Sequence, residues 1–133
     1  MSIVSIIAAH PDLREGIGGP PNEALAQAAA ITSYCSVVCT SCADACAAEE
    51  MDMQQCIRTC SDCADICAAT SRVAARRTGA NEEVLRSMLN TCIQACELCA
   101  AECEQHDNDH CRICAEACRD CAARCREALQ MVG

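Results

Sequence analysis

Any chemistry in this chain must rest on 17 cysteines, which stand at helical steps. Cys35, Cys39, Cys42 and Cys46 follow one another at steps of four, three and four residues. Cys56, Cys60, Cys63 and Cys67 repeat those steps, as do Cys92, Cys96, Cys99 and Cys103. A fourth block carries Cys111, Cys114, Cys118, Cys121 and Cys125 at steps of three, four, three and four. On an α-helix such steps keep side chains on one stripe, the heptad seam that faces a bundle axis. One or two buried cysteines act as small hydrophobes. Four such stripes in one small chain instead gather soft ligands, and thiolate suits Cu(I), Zn(II) and iron–sulfur clusters.

Charge separates these three. A Zn(II) site with four thiolates keeps a net negative charge, and several such sites stacked in one lumen bury that charge at high cost. Cu(I) at about one ion per thiolate leaves none, because each ion displaces one proton. Cu(I) also accepts two or three soft ligands, so i,i+4 pairs and cross-helix bridges can each hold one. Iron–sulfur clusters draw on a CxxCxxC loop with a distant fourth cysteine, a poor match to a continuous helical ladder. Multiple Cu(I) ions, about one per cysteine, are the favoured cargo. The alternatives are a zinc or general metal buffer of metallothionein type and an iron–sulfur or redox protein. No nucleophile–base–orienter set is recognisable and no acid pair is placed for a cleft, so an enzyme is not expected.

So many cysteines first raise the disulfide scaffold of small secreted domains. Three features oppose it. The cysteine number is odd, which prevents complete pairing within a monomer. The amino terminus, MSIVSIIAAHPDLREG, has no basic residue before Arg14 and so lacks the n-region of a secretory signal. Neighbouring Cβ atoms on one helix face lie about 5–6 Å apart, whereas a disulfide takes about 3.5–4.5 Å. Reduced thiols in the cytoplasm are the expectation. The 10 basic residues, all Arg, face 19 acids, for a net charge of −9. That balance serves solubility and a weak attraction for cations, and it disfavours nucleic acid, which needs basic patches. No apolar run approaches the ~20 residues of a membrane span.

The elements that must position the thiols follow from the same pattern. Residues 3–9 (IVSIIAA) predict a short helical segment stopped by Pro11. GIGGPP at 16–21 is a linker whose Pro21 suits a helix start. The first long helix is expected from Asn22 to about Ala48, and the second from about Met51 to Arg77 with Gly79 as its C′ residue. The third follows Asn81 as N-cap, with Glu82 and Glu83 in its first turn, and reaches about Gln105. Asn108 or Asp109 caps the fourth, which runs to about Met131. The expected fold is all-α, an antiparallel up-down-up-down four-helix bundle over 22–131 within one domain spanning 1–133. Beyond the cysteines the seams continue through Thr32, Ala28 and Leu25, through Thr70 and Ala74, through Leu89 and Leu85, and through Ala128 and Val132.

With antiparallel neighbours, all four cysteine blocks fall in the same half of the bundle, and the other half is an apolar plug. Loops 47–55 and 104–110 close the sulfur end and bring Met51, Met53, His106 and His110 to one mouth as soft or imidazole ligands. Without Phe or Trp, and with Tyr34 alone, the core must be filled by Ala, Cys, Ile, Leu and Met. Met88 and Met131 are expected in it. His10 reads as a loop residue and Asp62 as an outer or flanking one.

The four CxxxCxxC-type blocks, the HDNDHCRIC turn and the absent signal peptide resemble the cytosolic branch of the bacterial copper storage proteins. The resemblance covers residues 22–131 strongly and the amino-terminal segment weakly. It implies a four-helix bundle whose cysteines point inward and bind many Cu(I) ions, storing and buffering them in the cytoplasm. It further implies a homotetramer, with His106 and His110 matching histidines near the copper mouth; Met51 and Met53 sit where members differ. A copper chaperone is the expected donor or acceptor.

Overall fold

The computed structural model describes residues 2–10, 23–77 and 79–132. They form α1 (Ile3–Ala8), α2 (Glu23–Ala47), α3 (Gln54–Ala75), α4 (Glu82–Cys103) and α5 (Asp109–Val132), with no strand among the described residues. Helix α2 packs on α3 and α5, and α4 packs on α5 and α3, which is the arrangement of an up-down-up-down bundle. Ser2 starts α1: its hydroxyl oxygen accepts the Ser5 N–H at 3.0 Å. This short helix lays buried Ile7 against the bundle beside α2, with Ile3 and Val4 partly covered. His10 Nδ1 lies 3.0 Å from the Ile6 carbonyl oxygen, so this loop residue closes the last turn of α1. Pro11, the linker and Pro21 lie outside the described residues.

The helix ends depart from the sequence expectation where side chains prefer another partner. Helix α3 begins at Gln54 because Met51–Met53 belong to the turn, and Asp52 accepts the Gln54 N–H at 3.0 Å. It ends at Ala75, where Arg76 turns extended. Gly79 has φ +90, but it shapes the turn further on and is not the C′ residue. Asn81 stands at the N-cap of α4 without a side-chain capping bond. Its amide instead donates to the Val73 carbonyl at 3.2 Å, which also accepts the Arg76 N–H at 3.4 Å.

The seams are buried as the spacing predicts. Leu25, Ala28, Ala74, Leu85, Leu89, Ala128 and Val132 fill the plug half. Thr32 and Thr70 share that stripe, and each spends its hydroxyl on its own helix. Thr32 donates to Ala28 at 2.7 Å and Thr70 to Ile66 at 2.7 Å, so neither leaves an unmet polar group in the core. Met131, expected in the core, is 51 % exposed, and Met88 is only half-buried. Each stands one residue before a seam position (Val132 and Leu89), about 100° away around the helix. Asp62 is exposed, on the outer face of α3 as expected.

A second correction concerns α2, which is long and apolar enough, by length and composition, to cross a membrane. Its run of Ala, Cys, Val and Ile produces that signal. Its apolar stripe from Leu25 to Cys46 is buried within the bundle, the pattern of a core helix.

This plug predicts a folded protein without metal. Ala-rich helices have high intrinsic propensity, and the plug core needs no ion. Circular dichroism of the reduced metal-free protein is expected to be strongly helical. Leu89→Ala should lower its stability in urea by about 2–5 kcal/mol. A metal-free chain that is disordered would favour the metallothionein alternative.

Candidate metal centre

All 17 cysteines are free and buried. The i,i+4 neighbours Cys35 and Cys39 bring their sulfurs to 3.8 Å, and Cys63 and Cys67 do the same at 3.8 Å. Contacts between helices are as close. Cys39 meets Cys118 at 3.6 Å, Cys60 meets Cys99 at 3.6 Å and Cys103 at 3.7 Å, and Cys67 meets Cys92 at 3.7 Å. A soft ion about 2.3 Å from each sulfur spaces a trigonal set about 4.0 Å apart and a tetrahedral set about 3.8 Å apart. The sulfurs therefore already stand at the separations that coordination requires.

The sulfurs also form groups within which all lie within 4.8 Å of one another, and the groups overlap. Cys35, Cys63, Cys67 and Cys96 make one, and Cys35, Cys39, Cys63 and Cys118 the next. Cys39, Cys99, Cys114 and Cys118 follow, then Cys42, Cys60, Cys103 and Cys114. The overlap makes a continuous path. From Cys103 it steps to Cys60, Cys114, Cys39, Cys118, Cys63, Cys96, Cys67, Cys92 and Cys125, and the longest step is 4.0 Å.

The protonation of the lumen follows its packing. Cys60, Cys67 and Cys118 are held above the ordinary thiol range by S–H bonds to Cys103, Cys121 and Cys114 respectively, and burial adds to it. Burial raises Cys46, and it pushes Cys111 up to about 12. Cys42 goes the other way, lowered to about 6, chiefly by its hydrogen bond with Cys103 and with His110 contributing. Cys63 is likewise lowered, to about 7, chiefly by Cys118, and S–H bonds from neighbouring cysteines lower Cys35, Cys92, Cys99 and Cys114 as well. The lumen therefore mixes thiols held protonated with sulfurs whose thiolate form is stabilised by the S–H groups beside them.

The expected mouth lies where the α2–α3 and α4–α5 turns meet. There the Cys42, Cys46 and Cys111 sulfurs and a His110 ring nitrogen lie within 4.8 Å of one another, close enough to hold an ion. His110 Nδ1 lies 3.4 Å from Cys42 Sγ and 3.6 Å from Cys111 Sγ. Its other nitrogen, Nε2, is 2.8 Å from Glu49 Oε2, and the same oxygen accepts the Asn108 amide at 2.8 Å. The imidazole is held above its usual range first by the Cys42 hydrogen bond and then by Glu49. His106 has different surroundings. Its Nε2 pairs with Glu102 Oε2 at 3.0 Å, and it borders a surface pocket with Asp107, Arg112 and Arg119. Met53 is 3 % exposed and Met51 54 % exposed, so only the first is enclosed.

Glu49 and Glu102 stand at this end, and sequence reasoning does not single them out. Asn108 is one of two expected caps of α5, with Asp109, and its side chain crosses to the other turn. Nothing in AAEEMDM distinguishes Glu49 from Glu50, because the choice depends on the second turn.

The family model described as copper storage protein matches residues 21–130. The chain belongs to the copper storage protein family. Its fold agrees: the copper storage protein Ccsp from Streptomyces lividans, in a structure loaded with 10 copper equivalents, has a TM-score of 0.90 to this chain and 40 % identity, covering 97 % of this chain and 98 % of that one. A second structure, of a cytosolic copper storage protein from Streptomyces lividans with five coppers, matches at a TM-score of 0.79 and 45 % identity over 81 % and 93 % of the two chains. The uncharacterized cysteine-rich protein YhjQ of Bacillus subtilis is 36 % identical over 85 residues, 62 % of this chain and 75 % of YhjQ. Membership makes this bundle a store for copper, and its buried thiols are the chemistry suited to that cargo.

Proposed function

We propose that this chain stores and buffers copper as Cu(I) in the cytoplasm, at about one ion per cysteine, without catalysing a reaction. The overlap of the sulfur groups carries the reading: Cys35, Cys39, Cys42, Cys63, Cys114 and Cys118 each take part in two. Isolated four-thiolate sites have no use for such sharing, whereas thiolates that bridge monovalent ions require it. Each Cu(I) replaces one S–H proton, so the lumen fills without accumulating buried charge.

Within this reading all 17 cysteines are ligands. His110 receives ions at the mouth and passes them to Cys42 and Cys111; Cys42 stands within 4.8 Å of Cys60, Cys103 and Cys114, and from Cys103 each ion moves inward by exchanging one sulfur for the next along the path of 4.0 Å steps or less. His106 acts beside the mouth, with Met53 as an enclosed thioether and Met51 as an exposed one. A copper chaperone supplies or accepts the ions by the same thiolate exchange. Homotetramer formation, which the family resemblance implies, has apolar surface available at exposed Tyr34, Val37, Leu98 and Ile113. Residues 1–133 act as one domain.

Metal competition tests the choice of ion. Reduced protein first equilibrated with Zn(II) is expected to surrender it to an equivalent of Cu(I) per thiol, since soft thiolates select Cu(I). The loaded protein should be colourless. Retention of zinc at about one ion per four thiols would establish the zinc buffer instead, and a brown product the iron–sulfur alternative.

A further inference from the structure

We propose that Glu49 is a positioning residue that fixes which nitrogen of His110 meets copper. The inference rests on the reading of His110 as a mouth ligand. A carboxylate only accepts hydrogen bonds, so its 2.8 Å contact with Nε2 requires the proton to sit on Nε2. The neutral ring then carries a bare Nδ1, and this is the atom aimed at Cys42 Sγ and Cys111 Sγ, at 3.4 and 3.6 Å. The geometry is that of the protein part of a carboxylate–histidine–metal triad, in which the outer carboxylate sets the ring's tautomer and orientation.

Asn108 donates to the same Glu49 oxygen at 2.8 Å, so the carboxylate joins the turn after α2 to the turn before α5. Glu49 and His110 are 29 % and 25 % exposed, close enough to solvent to take an ion from outside and enclosed enough for the contacts to be geometrically defined. His106 has no such bridge; its partner Glu102 is four residues back, at the end of α4. The two mouth histidines therefore differ: His110 is tied across two turns and presents Nδ1 to the thiols, whereas His106 is tied within α4 and its flanking turn.

Two measurements test this. In protein carrying nitrogen-15 histidine, at a pH above the imidazole range, spectra should identify a His110 protonated at Nε2 and bare at Nδ1. A fraction of an equivalent of Cu(I) should move the Nδ1 resonance and leave the Nε2 proton in place. Metal at Nε2, or a proton on Nδ1 in the metal-free protein, overturns the proposal. In stopped-flow transfer from a Cu(I)–chelator complex, Glu49→Ala should slow uptake about tenfold or more. Glu49→Gln should recover most of that rate, because its amide oxygen can accept the same Nε2 proton. Glu49→Ala should add nothing in a His110→Ala background. An equal further loss there would mean that Glu49 acts independently of the ring, and the proposal fails. If His110→Ala slows uptake while Glu49→Ala does not, only the positioning role fails. If His110→Ala itself loads at the unaltered rate, the mouth-ligand reading fails with it.

Discussion

Anaerobic titration of the reduced protein with a Cu(I) complex should saturate near 17 ions per chain, one for each cysteine. Separate tetrahedral thiolate sites would stop at about four. The expectation follows from the shared sulfurs. Cys114 belongs both to the group with Cys42, Cys60 and Cys103 and to the group with Cys39, Cys99 and Cys118, so its thiolate can bridge ions in each. Charge permits the higher count, because a monovalent ion replacing a proton leaves the lumen neutral. Changing Cys56, Cys60, Cys63 and Cys67 of α3 together to Ser should remove at least the share of those four residues. The hydroxyl is a hard ligand, and the sulfurs that faced Cys60 and Cys63 on α4 and α5 lose a bridging partner. Bound copper in the variant, measured against a competing chelator, checks this. Saturation of the unaltered protein at four ions or fewer would end the reading of one Cu(I) per thiolate.

Copper should load from one end only, and the histidines should set the rate. Leu25, Leu85, Leu89 and Val132 offer a cation no ligand in the plug half, and an ion crossing it would lose its coordination without replacement. Uptake therefore passes the turns where His110 meets Cys42 and Cys111. Replacing His106 and His110 together with Ala should slow both loading and removal by a chelator, about tenfold or more. Total capacity should stay nearly unchanged, because thiols hold most of the ions. Stopped-flow transfer measures the rates and equilibrium titration the capacity. A double variant that loads and unloads at the unaltered rate would place the mouth elsewhere or make the histidines bystanders.

The sequence by itself determined the bundle and its lumen, because both depend on periodicity within single helices. A step of four, three and four residues places side chains on one stripe whatever packs against it, and four such stripes can be buried together only around a common axis. Antiparallel alternation then put every cysteine block in one half, and the structure has all 17 buried. Periodicity also explains two errors. Met88 and Met131 belong to the right half of the bundle, but each is one residue off the seam. The Ala and Cys content of α2 also makes a core helix pass for a membrane span.

Tertiary structure decided everything that depends on distance between helices. Which sulfurs meet, such as Cys39 with Cys118 and Cys67 with Cys92, depends on the axial register of α2 against α5 and of α3 against α4. Side-chain packing and turn length set that register, and no single helix encodes it. The mouth is more dependent still. Glu49 lies on the turn after α2, whereas Asn108 precedes α5 and His110 stands in its first turn, about half the chain away, and their chemistry exists only once both segments close the same end. Asn81 and Asn108 have the residue type of helix caps, yet the amide nitrogen of each donates to a partner across a turn. A local signal states what a side chain can bond; the folded chain determines which of its possible partners comes within reach.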